Sequence, residues 1–153
     1  MIALSSLVST PLEARPKTIE IVVDEIAEPE NCGISKSHVE ELMIAFLEEE
    51  QISVSYREAD LKAFADVNVI AIPNSLGTWS NTCSFDIDIE IQLHHEARMR
   101  GVGRFDVISK LCEADFTGFI SDGNRSFFTQ SFRQSFARCF EQLPPVVARA
   151  LEP

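Results

Sequence analysis

An α+β fold is what this sequence predicts: a mainly antiparallel sheet of about five strands with two helices packed on one face. Two observations carry the prediction. Between Cys83 and Leu93, Phe85, Ile87, Ile89, Ile91 and Leu93 alternate with Asp86, Asp88, Glu90 and Gln92. A period of two over that length makes a strand with one oily and one acidic face, which suits an antiparallel sheet covered on one side only. Nearer the C-terminus, Phe128, Phe132, Phe136 and Phe140 recur at every fourth position, with Ser131, Ser135 and Cys139 beside them. Such a stripe can lie flat on the oily face with its backbone close; a lipid-binding or partner-binding stripe is the sharper alternative.

The elements follow in the order β-α-β-β-β-β-α. The first strand spans Thr18 to Asp24, with Ile19, Ile21 and Val23 on one face. A loop from Pro29 to Gly33 leads into a helix that starts at Ser35 or Ser37. Ser35 as N-cap places Ile34 and Val39 as a hydrophobic staple, whereas Ser37 forms a capping box with Glu40. Val39, Leu42, Met43, Phe46 and Leu47 keep helical spacing to about Glu50. Glu48 to Glu50 put acids at the helix end that the macrodipole disfavours. Ile52, Val54 and Tyr56 mark the second strand, Leu61 to Ala65 a helical turn, and Val67 to Ile72 the third strand, stopped by Pro73. Asn74 to Thr82 reads as a polar loop carrying Trp79 at its tip. The alternating strand is the fourth, and Gly101 and Gly103 permit its hairpin return through Arg98 to Arg104. The fifth strand, Phe105 to Ile120, changes phase, so a β-bulge is expected between Ile108 and Leu111. The last helix runs from about Ser126 to Leu143 and stops at Pro144-Pro145.

Composition bounds the function. With 153 residues, 45% of them hydrophobic and 24% charged, residues 15–153 read as one ordinary globular domain, able to bury roughly 68–70% of its unfolded surface. A net charge of −11 repels phosphate backbones and anionic head groups, so neither nucleic acid nor an electrostatically held membrane is an expected partner. No apolar run approaches the ~20 residues of a spanning helix. Residues 1–14 are small and apolar, break at Pro11 and end on Ala14 before Arg15-Pro16. They read either as the remnant of a secretory signal or as a disordered arm.

Cys32, Cys83, Cys112 and Cys139 are widely spaced, with no Cys-x-x-Cys pair for zinc or redox work. They form either two disulfides or four buried thiols acting as small hydrophobes. If Cys139 faces the sheet, the in-facing Cys112 is its nearest candidate partner, which leaves Cys32 to Cys83.

Candidate chemistry is sparse. His94 and His95 point to opposite faces of a strand, and His38 lies in the first turn of a helix, so three solvated histidines are expected rather than a zinc site. Asp86, Asp88 and Glu90 sit ~6.6–6.8 Å apart along the wet face. That spacing lies within the range of inverting glycosidases, yet any acidic alternating strand produces it. Arg98, Arg100 and Arg104 are expected to offset the stripe across the hairpin. No Gly-x-Ser-x-Gly occurs, and Gly101-Val-Gly103 lacks the rest of a dinucleotide loop. Gly33 before a helix start is an anion site in principle, but Glu28 and Glu30 make it a cap. No catalytic set, cofactor or metal is expected.

Ala65 to Ile72, the hairpin Cys83 to Ile120 and the closing helix Ser131 to Leu143 together resemble the small periplasmic domains of Gram-negative auxiliary lipoproteins, among them those serving lipid-transporting ABC systems. The resemblance implies an exported, non-catalytic accessory domain of the cell envelope that docks on a protein partner. The lipid-attachment cysteine of that family has no counterpart after Ala14. Two further readings stand beside it: a carrier holding a small apolar ligand between the Phe-rich helix and the sheet, and a small hydrolase using the acidic strand. A cytoplasmic location is the alternative to the periplasm. Trp79 is the residue singled out for partner contact, because tryptophan is enriched at binding hot spots.

Overall fold

The computed structural model describes residues 18–27, 32–77, 79–121 and 124–152, of which 79–81 by their backbone alone. The arm expected over residues 1–14 lies outside the described residues. Eight elements follow one another: β1 (Thr18–Val23), α1 (Lys36–Glu49), β2 (Ser53–Ser55), β3 (Leu61–Pro73), β4 (Trp79–Met99), β5 (Gly103–Ser121), α2 (Ser126–Glu141) and α3 (Pro145–Leu151). The fold is α+β, and the sheet has five strands in the order β2-β1-β3-β4-β5. Its long strands are antiparallel, β3 with β4 and β4 with β5, whereas β1 lies parallel to both neighbours. The α1 crossover accounts for the parallel β1–β2 pair, since a helix returns the chain to start a strand in the same direction.

One face of the sheet is covered. α1 buries Val39, Met43, Phe46 and Leu47, and α2 buries Phe128, Phe132, Phe136 and Cys139. Both helices share a single hydrophobic cluster with the inward side chains of β1, β3, β4 and β5. Ser35 is the N-cap of α1, its hydroxyl accepting the His38 amide at 3.1 Å. Ile34 and Val39 form the staple beneath it and are fully buried. Gln51 closes α1 at φ 60°, letting the Ile52 amide reach back to the Leu47 carbonyl at 2.8 Å.

Several elements differ from the sequence expectation. Leu61 to Ala65 is strand, not helical turn: Ala63 and Ala65 pair with Ile21 and Val23 of β1 and with Ile91 and Ile89 of β4. Local helix propensity of Leu, Lys and Ala gives way to pairing on both sides. β4 begins at Trp79, whose backbone pairs with Pro73, so the polar loop is shorter than Asn74 to Thr82 and Trp79 starts a strand. The bulge expected between Ile108 and Leu111 is present, with Leu111 the extra residue, because Ile91 pairs with Cys112 while Gln92 pairs with Lys110. α2 stops at Glu141, and the prolines that end it also start α3, with proline in its first turn.

Candidate functional site

The described residues offer four features that chemistry or a partner could use: the interface between α2 and the sheet, a groove among the helix ends, the open face of the sheet, and the hairpin arm.

The α2 interface is filled. Phe85 meets Phe128 edge-on with ring centroids 5.1 Å apart, and Phe46 meets Phe136 edge-on at 4.7 Å. Gly118 is the close approach that lets these rings settle, for a Cβ there would lie 2.7 Å from Phe85 and 2.9 Å from Phe116. Phe85, Phe128, Phe132 and Phe136 are fully buried between the Phe-rich helix and the sheet, the place considered from the sequence for an apolar ligand. Two disulfides fasten the covered face of the sheet, one of them to α2. Cys32, ahead of α1, is bonded to Cys83 of β4, and Cys112 of β5 to Cys139 of α2, with Cα–Cα distances of 5.9 and 5.1 Å. All four cysteines are buried. Each bridge ties the helical layer to a central or outer strand.

Behind these ties lies a groove of about 480 Å³, between the end of α1, the end of α2 and α3. Phe46, Ile52, Phe140, Leu143, Ala148 and Leu151 give it an apolar lining, and Glu50, Glu141 and Glu152 stand on it with no basic residue among the described lining side chains. Its size is that of a small-molecule or side-chain pocket. Sequence reasoning missed it because α3 was not foreseen. Pro145 followed by Val-Val-Ala-Arg-Ala-Leu151 was the available signal, a proline at the first helical position before an apolar run.

The open face carries the acidic stripe. Asp66, Asp88 and Asp115 stand side by side across β3, β4 and β5. The Thr117 hydroxyl donates to Asp86 at 2.6 Å, and Lys110 reaches Glu90 at 2.9 Å and Glu113 at 3.1 Å. Burial first, then Glu113 and Glu90, push the Asp88 carboxyl above the usual aspartate value. In the stripe, Lys110 thus offsets Glu90 and Glu113, and only weakly lowers Asp88. Arg98, Arg100 and Arg104 lie beyond it on the hairpin, contrary to expectation, because Arg98 and Arg104 pair with each other across β4 and β5 and Arg104 binds Glu96 at 3.3 Å.

The histidines do not converge. His94 shares the open face, its Nε2 2.8 Å from the Gln92 side-chain Oε1 and its ring stacked on Phe64 with centroids 6.2 Å apart, while His95 is exposed. His38 is not a solvated histidine. Its ring lies against Phe128 at 6.2 Å, and its buried Nε2 has no partner among the described residues. Burial, and then the Arg125 guanidinium, hold it below the ordinary histidine value, against a weaker pull from Glu41. Among the described residues no group of three or more His, Cys, Asp or Glu is arranged to hold a metal ion, and no helix is long and apolar enough to cross a membrane. The Trp79 side chain lies outside what is described.

No family model and no curated protein matches the chain. Solved structures similar to it include a PelC dodecamer from Paraburkholderia phytofirmans, 12% identical, covering 91% of this chain and 88% of that one at a TM-score of 0.41. A neuraminyllactose-binding hemagglutinin homolog from Helicobacter pylori is 11% identical over 87% of this chain and 86% of its own, also at 0.41. The rare lipoprotein B of Shewanella oneidensis is 7% identical over 88% and 90%, at 0.28. At these TM-scores the likenesses decide nothing about function. Fold and site define a small α+β domain whose helices are covalently tied to its sheet, and two buried disulfides favour an exported, non-cytoplasmic protein.

Proposed function

We propose that the chain is an exported, non-catalytic accessory domain of the bacterial cell envelope, one that serves a transport or assembly system by docking on a protein partner. The observation that carries this reading is the pair of disulfides between the two layers. Cross-links of that kind persist in oxidising compartments and are rare in the cytosol. The acidic stripe supplies no second reading, since it lies on an uncovered sheet face and Glu90, Glu113 and Asp86 in it are engaged by Lys110 and Thr117. Trp79, at the start of β4, remains the residue proposed for partner contact.

The test is the intact mass of the protein isolated from its native cells without reductant. A mature chain lacking residues 1–14 and carrying the mass deficit of two disulfides is the expected result. A full-length chain with four free thiols would overturn the proposal and return the protein to the cytosol.

A further inference from the structure

The hairpin formed by β4 and β5 outruns the rest of the sheet. β3 stops pairing with β4 at Leu93, opposite Leu61, and from His95 to Met99 the strand β4 pairs only with Gly103 to Val107 of β5. A two-stranded ribbon alone is marginal in water. This one nevertheless exposes large apolar side chains: Met99 at 55%, Val102 at 68% and Phe105 at 37%. Its tip also gathers Arg98, Arg100 and Arg104 within seven residues that contain no acid, in a chain of net charge −11. Arg98 and Arg104 stand directly opposite each other, a like-charge pairing that weakens a ribbon. Within the arm only Arg104 is offset among the described ion pairs, by Glu96 at 3.3 Å.

The groove among the helix ends has the complementary chemistry. Its floor is apolar, built around Phe46 and Phe140, and its charged residues are Glu50, Glu141 and Glu152. No arm residue lines it, so the arm does not fill the groove of its own chain. Arm and groove lie at the same end of the molecule. Ile52 of the groove immediately precedes Ser53, the partner of Thr18, and the next register row runs from Ile19 through Leu61 to Leu93, where the arm begins. We propose that the occupant is a second copy of this chain: Met99 and Val102 of each arm enter the groove of the other copy, with the tip arginines meeting its glutamates. Because arm and groove share one end, the exchange is reciprocal and closes a two-fold dimer. Desolvated apolar contacts supply the affinity, and the charges supply register and rate. The proposal is independent of the compartment in which the protein works.

Charge reversal tests it on the full, oxidised chain. One variant carries Arg98→Glu and Arg100→Glu, a second carries Glu50→Lys, Glu141→Lys and Glu152→Lys. All five positions are exposed, and lysine at the ends of α1 and α2 suits the helix dipoles, so both variants should fold; circular dichroism verifies this. Native mass spectrometry and light scattering at low salt, from micromolar to submillimolar protein, give the masses. Expected are a wild-type dimer, two monomeric variants, and a one-to-one heterodimer when the variants are mixed, since each reversed arm then meets an oppositely charged groove. A wild type that stays monomeric throughout overturns the proposal, and leaves the groove to a basic, apolar segment of another protein. Dimers that survive either reversal, or a mixture that stays monomeric, overturn it equally.

Discussion

Removing the two disulfides should take away most of this domain's stability, and the size of the loss follows from where they lie in the chain. Cys112–Cys139 closes a separation of 27 residues and Cys32–Cys83 one of 51. The loop-closure entropy that each removes from the unfolded chain corresponds to about 3.6 kcal/mol for the shorter and about 4.1 kcal/mol for the longer at room temperature. The two loops do not overlap in sequence, so the terms add to roughly 8 kcal/mol, against a total of about 5–15 kcal/mol for a typical domain. Urea unfolding followed by circular dichroism would compare the oxidised protein, the reduced protein, and the alanine pairs C32A/C83A and C112A/C139A. The midpoint should fall in each pair, slightly further for C32A/C83A. The denaturant slope should rise, because an unlinked chain exposes more surface when unfolded. If either pair cost less than about 1 kcal/mol, the bridges would be incidental to the fold, and the argument for an oxidising compartment would lose its physical basis.

Three further outcomes can be checked on the same footing. Gly118→Ala should destabilise by about 1–3 kcal/mol, since its Cβ would press on the rings of Phe85, Phe116 and Phe127; a thermal melt unchanged from wild type would refute that packing. Ser135→Ala should stabilise by about 1 kcal/mol, because the buried Ser135 hydroxyl has no partner among the described residues, and alanine is the better helix former. A loss of stability in that variant would reveal a hydrogen bond to this hydroxyl. For His38, whose imidazole is held low, the folded state binds its proton less readily than the unfolded chain. Stability from the neutral ring is therefore full above about pH 6.5, the unfolded value, and declines as the pH drops from there towards the lowered folded value. Wild type should lose stability over that window while His38→Gln does not; parallel profiles would remove His38 from the account.

The strand from Cys83 to Leu93 was legible because the sheet is covered on one side only, so burial writes itself into alternate residues. The α2 stripe was legible for the corresponding reason at helical period. Leu61 to Ala65 was not, because alanine carries no strand signal and these residues become a strand only between β1 and β4. Nothing local distinguishes the parallel β1–β3 pairing from an antiparallel one. The candidate site was harder still to read. The groove takes side chains from three helices, one of them only 7 residues long, and its shape exists only once all three have packed. His38 illustrates the same point, for its burial is set by Phe128, a ring on a helix distant in sequence.

The Leu111 bulge has a consequence for how the molecule keeps to itself. β5 is an outer strand of 19 residues, long enough to invite another chain to add a strand and begin aggregating. The extra residue at Leu111 divides that edge into two stretches of opposite phase and sharpens the local twist. Lys110 places a charge at the same point. An incoming strand in register with one stretch is out of register with the other, and the opposite edge, β2, is only 3 residues long. Both borders of the sheet thus discourage fibre growth by the devices natural sheets use, a bulge, a lysine and a short terminal strand.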